Sequence, residues 1–140
     1  MARRRELRQL ILPDAVLLDS EGLSAAAAGS ARVRAELILA ERLGASVHVS
    51  AVTLAETLRG GPRDARVHSL LKSVVQRPVT PELGRAAGEL LGRTGRADTV
   101  DAIVAATASG LGQRVRILTS DPRDLRALTA EMDAVTAVAV

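Results

Sequence analysis

Thr99-Val-Asp-Ala-Ile-Val-Ala-Ala-Thr-Ala-Ser-Gly-Leu-Gly-Gln-Arg-Val-Arg-Ile-Leu-Thr-Ser-Asp121 contains, in one run, each local signal from which the chain is built. Residues 99–109 are alanine-rich with apolar positions at helical spacing, Gly110 and Gly112 break that pattern, and 114–119 is a short β-branched run. An acid, Asp121, stands just past its end. The same alternation recurs outward in both directions. Strand-type runs are predicted at 15–19, 46–49, 74–78, 114–119 and 134–140. Helices are predicted at 31–43, 51–59, 64–73, 81–91, 99–109 and 122–131. In 31–43 the apolar Val33, Leu37, Ala40 and Leu43 fall on one face, with Arg32, Glu36 and Arg42 turned to water. Gly60-Gly61-Pro62 and the Gly92 to Gly95 stretch provide the other breaks, and Ala25 to Ala28 read as a helical turn or its fringe. Strands joined through helices run mostly parallel, so the fold class is α/β, and such sheets bind ligands beyond the carboxyl ends of their strands. Asp19, closing the first strand, and Asp121, just past the fourth, are both expected at that edge.

The 140 residues suit one domain, with 47% hydrophobic and 25% charged residues, a globular balance. Residues 1–13 read as a basic tail and 14–140 as a single domain. Phe, Tyr and Trp are absent, so the core must be built from small aliphatic side chains packed closely, and bases cannot be stacked on aromatic rings. The sequence pI of 10.8 overstates the basic character, because every basic residue but Lys72 is an arginine. Without Arg3, Arg4, Arg5, Arg8 and the neighbouring Glu6, acidic and basic groups balance. That tail would attract phosphate over a Debye length of about 8 Å, or simply be a solvated start. With no cysteine there is no disulfide, zinc thiolate or thiol nucleophile, which suits a reducing compartment. The longest uncharged stretches, such as 102–113, fall short of the roughly 20 apolar residues a membrane helix needs, and the N-terminus lacks the apolar region of a signal peptide. A soluble, cytoplasmic protein is expected.

Each acid has an ordinary explanation. Asp121, followed by Pro122 and with Asp124 three residues on, fits a helix N-cap. Asp98 fits the cap of the helix at Thr99, with Asp101 favouring its positive end. Glu56 fits a solvated charge paired with Arg59 at i,i+3, worth about 0.2–0.5 kcal/mol, and Asp19 in Asp-Ser-Glu-Gly fits a turn. His48 alternates with valines in a strand, and His68 has no acidic neighbour in sequence. Arg59, Arg63 and Arg66 suit either a phosphate path or a solvated face. Only Asp101 combines two roles in one segment: the small residues after it let its helix approach the sheet closely and carry a carboxylate to the strand ends.

Taken together, Leu-Leu-Asp-Ser at 17–20, Ala-Glu-Thr-Leu-Arg-Gly at 55–60, Asp-Ala-Ile-Val-Ala-Ala-Thr-Ala at 101–108 and Leu-Thr-Ser-Asp at 118–121 resemble the PIN-domain family, over a span from about Ala15 to the C-terminus. The resemblance maps that family's four acidic positions onto Asp19, Glu56, Asp101 and Asp121. It implies a three-layer α/β/α fold with a short, mostly parallel sheet. It further implies a Mg2+ or Mn2+ dependent nuclease, often an endoribonuclease leaving 5′-phosphate and 3′-hydroxyl ends, and often the toxin of a VapBC-type pair with a VapB-like antitoxin. The chemistry agrees: converging carboxylates repel unless cations offset them, and oxygen-only donors select hard cations over Zn2+. In this reading Asp19 and Asp101 anchor the main metal, and Glu56 and Asp121 position water or a second one. Ser20, Thr119, Asp98 and Asp124 stand around them, the hydroxyls orienting acids or phosphate or serving as local backbone partners. A homodimer is the default for a small soluble protein.

Two other classes compete. A phosphorelay receiver also gathers acids at parallel strand ends, but it needs a late lysine, and Lys72 lies mid-chain. A PIN scaffold that binds RNA or protein without cutting would have no need to keep all four acids.

Overall fold

A computed structural model describes residues 12–140; the arginine-rich segment at Arg3 to Arg8 lies outside them. Among the described residues five strands and seven α-helices follow one another. They are β1 (Ala15–Leu18), α1 (Ser20–Ala27), α2 (Ala31–Arg42), β2 (Ser46–Ser50), α3 (Ala51–Thr57), a 3-10 turn (Pro62–Asp64), α4 (Ala65–Leu71), β3 (Val75–Arg77), α5 (Pro81–Thr94), α6 (Thr99–Gly110), β4 (Val115–Thr119), α7 (Arg123–Leu128) and β5 (Val135–Ala139). The strands form one parallel sheet in the order β3-β2-β1-β4-β5. Helices cover both faces, which makes the three-layer α/β/α architecture.

The period-2 alternation of a strand explains the layers. In β1, Ala15 and Leu17 enter one apolar cluster with Ala87 and Leu90 of α5, Ala102 to Ala108 of α6, and Leu125 and Leu128 of α7. Val16 and Leu18 enter the other, with Leu23 of α1, Val33 and Ala40 of α2, and Val67 and Leu71 of α4. All four β1 side chains are buried, as expected of a central strand covered on both sides. On α2, Val33 and Ala40 are buried as their spacing implies, but Leu43 is 41% exposed, because the helix ends before it and the chain turns at Gly44. Among the described residues no helix is long and apolar enough to cross a membrane.

From β1 the chain steps through β2 to β3 on one side, then returns to lay β4 and β5 on the other. The direction of strand order therefore reverses between β1 and β4, and at such a point the loops leaving two adjacent strands part and open a crevice. Asp19 follows β1 and Asp121 follows β4, so both flank this crevice.

The observed elements differ from the sequence reading in several places. Residues 20–27 form a complete helix where a turn and a fringe were expected. Helix α5 runs on through Gly92 to Thr94 and stops at Gly95, whose φ of 67° supplies the left-handed cap. Helix α3 ends at Thr57 rather than 59, because the Asp64 carboxylate takes the amides of Arg59 (2.9 Å) and Gly60 (2.7 Å). Helix α7 begins at Arg123, one residue after the expected proline start.

Candidate active site

Asp19 is where β1 becomes α1. Its backbone amide still reaches the Leu118 carbonyl of β4 at 3.3 Å, and its Oδ1 accepts the Gly22 amide at 2.7 Å, so the turn expected here is a helix N-cap. Gly22 makes this possible. A Cβ at that position would stand 2.4 Å from the Leu118 carbonyl oxygen, so only glycine lets α1 lie against the end of β4. The carboxylate is 7% exposed. Burial pushes its pKa up, a hydrogen bond from Thr119 and the Gly22 amide pull it down, and the nearby charge of Glu21 adds to the upward push. Thr119 is itself buried, and its hydroxyl also lies 3.4 Å from the Asp121 carbonyl. With one proton to give, the hydroxyl favours the charged and stronger acceptor, Asp19.

Asp101 lies in the first turn of α6. Asp98 caps that helix, its Oδ1 accepting the Asp101 amide at 2.9 Å. The helix sinks onto the sheet through Ala102, Val104, Ala105, Ala106, Thr107 and Ala108, all buried, which draws Asp101 to the strand ends half-buried. Its pKa is raised from 3.8 to about 6, first by burial and then by the charges of Asp98, Asp124, Asp19 and Glu56. Four carboxylates from four segments thus act on a fifth.

Glu56 is exposed on α3, and the Arg59 guanidinium donates to the carbonyls of Ala55 (3.1 Å) and Leu58 (2.9 Å) instead of pairing with it. Asp124 pairs with Arg96, tying α7 to the loop before α6. Asp121 is not among the four charges that act most strongly on Asp101. It is exposed, its Oδ1 accepts the Arg123 amide at 3.3 Å and its Oδ2 lies 3.6 Å from the Arg123 guanidinium. Ser20 opens α1 and is half-buried. His48 is buried with Nε2 against the Ser46 hydroxyl at 2.7 Å, level with Leu17 and two residues short of the carboxyl end of β2.

Two residues here escaped the sequence reading. Gly22 carried a signal, a glycine three residues after an acid that could cap a helix. Glu21 carried none: its partners, Ser120 and Asp121, are about a hundred positions away.

The donor set is entirely carboxylate and hydroxyl oxygen, which suits hard divalent cations. Among the described residues no three Asp, Glu or His side chains stand close enough together to hold one ion. Mg2+ commonly keeps several waters and takes only one or two protein carboxylates, with substrate phosphates completing its shell. A hydrated ion in an open crevice would thus ask for fewer protein ligands than a closed cage.

The fold recurs in solved structures. VapBC2 from Rickettsia felis, bound to a DNA fragment from its promoter, has a chain 13% identical with a TM-score of 0.70, covering 90% of this chain and 98% of that one. A toxin-antitoxin complex from Klebsiella pneumoniae gives 19% identity and a TM-score of 0.67, covering 89% and 99%. DNA-bound VapBC from Salmonella typhimurium gives 15% and 0.67, covering 89% and 97%. No curated protein matches the sequence significantly. The sequence model of the PIN domain matches residues 16–130, and the chain belongs to the PIN domain family.

Proposed function

We propose that this protein is a Mg2+ or Mn2+ dependent endoribonuclease, acting as the toxin of a VapBC-type pair and restrained by a VapB-like antitoxin. PIN domains are generally nucleases, and the toxin-antitoxin assignment draws on the likeness to the three complexes above. The observation that carries the chemistry is Asp101, a carboxyl raised to about 6 by burial and by four other acids. An apo cluster of this kind is stabilised by gaining positive charge.

Asp19 and Asp101 are the proposed anchors, with Glu56 and Asp121 placing water or a second ion. A bound divalent cation supplies Lewis acidity, making water more acidic and offsetting charge on the phosphate. The chain's own residues supply position. The Gly22 amide and the Thr119 hydroxyl hold Asp19 in one orientation, while the Asp98 cap and the alanine face of α6 set the depth of Asp101. RNA must be held through its backbone and on arginine planes, because the chain has no aromatic ring on which to stack a base.

The test is cleavage of total RNA by the purified protein. Activity should vanish on chelation, return with Mg2+ or Mn2+, and disappear in Asp19→Asn and Asp101→Asn variants that remain folded. Binding of RNA without cleavage would instead identify a non-catalytic scaffold, and full activity in both variants would refute the site.

A further inference from the structure

Asp121 reaches the crevice from the loop between β4 and α7, and little of its own holds it there: it is exposed, and its carboxylate meets only the amide and distant guanidinium of Arg123. The loop backbone, in contrast, is gripped from across the crevice. Glu21, in the first turn of α1, extends one carboxylate oxygen, Oε2, to three donors: the Ser120 amide at 3.1 Å, the Asp121 amide at 3.2 Å, and the Ser120 hydroxyl. Hydrogen bonds from amides to a carboxylate are stronger than neutral ones.

We infer that Glu21 is a positioning residue of the nuclease centre, the tether that fixes the Asp121 loop to the helix capped by Asp19. The inference rests on the proposed nuclease reading. With three donors sharing its two lone pairs, Oε2 has none left for a further partner and is committed to the loop. Glu21 stands two residues from Asp19, in the first turn of the helix that Asp19 caps, so its side chain has both the reach and the acceptor to hold the loop across the crevice. Asp19 and Asp121 lie on separate segments about a hundred residues apart, and Glu21 links their backbones directly.

The experiment compares wild type, Glu21→Ala and Glu21→Gln in two assays. The first is amide hydrogen exchange at Ser120 and Asp121 without metal, which reports local opening. The second is RNA cleavage, separated into kcat and KM and repeated across Mg2+ concentrations. Glu21→Ala should speed exchange at both amides and lower kcat by about tenfold or more, as expected when a reacting group is misplaced, with KM for RNA nearly unchanged. Glu21→Gln keeps an acceptor oxygen and should restore both readouts toward wild type; a metal-ligand role for Glu21 would leave it as impaired as Ala. Should Glu21→Ala fail to fold, Ser120→Ala removes one donor and should move exchange in the same direction. Unchanged exchange in Glu21→Ala, or an active wild type whose kcat the substitution leaves alone, overturns the inference. A wild type that cuts no RNA overturns the nuclease reading instead, and the exchange assay then still decides whether the tether exists.

Discussion

Asp101→Asn should make the metal-free protein more stable at neutral pH while abolishing cleavage. The folded carboxyl titrates at about 6 against an ordinary 3.8, so the folded state binds the proton more tightly than the unfolded one. Stability contributed by the protonated form is complete below about pH 4 and is lost as the pH rises through 6. For a fully buried group a shift of that size corresponds to about 3 kcal/mol. Asp101 is half-exposed, so solvent screening brings the penalty to about 1 kcal/mol. Asparagine removes it and keeps the shape. For a domain of this size that is a rise in Tm of about 3 °C, measured by thermal unfolding at pH 8 in chelator. At pH 4 the two proteins should converge. Added Mg2+ should raise the Tm of wild type and not that of the variant, since ligand binding to the folded state stabilises only where a site exists. A lower Tm for Asp101→Asn at pH 8, or an equal Mg2+ response in both proteins, would refute the view that Asp101 sits in an uncompensated anionic cluster.

Gly22→Ala should cost about 2–3 kcal/mol of stability in urea unfolding and remove activity, because its Cβ meets the Leu118 carbonyl oxygen at 2.4 Å and something must shift. Asp98→Ala should lose a helix cap worth about 1 kcal/mol, yet let Asp101 titrate nearer the ordinary carboxyl value, a displacement that carbon NMR of the side chain would follow. Asp64 responds to acid in the opposite sense to Asp101. The amides of Gly60 and Arg59 hold its carboxyl below the usual range, so the stability it lends is present above about pH 4 and is lost as the pH falls through its lowered value. Urea unfolding of Asp64→Asn should show a flatter acid limb than wild type, and parallel limbs would count against the loop-locking role of that carboxylate.

The sheet and most helices were legible because short apolar runs alternate with longer helical patterns between glycine and proline breaks. Helix α1 was not. Ser20-Glu21-Gly22 has the composition of a turn, and what makes it helical is the local cap by Asp19 joined to a tertiary contact, the close approach of Gly22 to Leu118. The acids were legible as a pattern in order, and Asp98 reads as the cap that it is. Their unequal settings were hidden. No feature of the sequence says that Asp124 ranks among the strongest charges on Asp101, because that ordering is set by how distant segments fold together. Nor could the Glu21 contact be anticipated, since ordinary helix spacing never pairs residues so distant in the chain.

The run of alanines along α6 acts as a shim. Its thickness fixes how far the helix axis stands from the strands, and thereby how deep the first-turn carboxylate sits. A larger aliphatic residue at Ala102 or Ala105 would lift the helix and carry Asp101 outward with it, weakening the field it feels from its neighbours. Both positions are fully buried, so such a change costs packing as well, and thermal stability and the titration of Asp101 should move together.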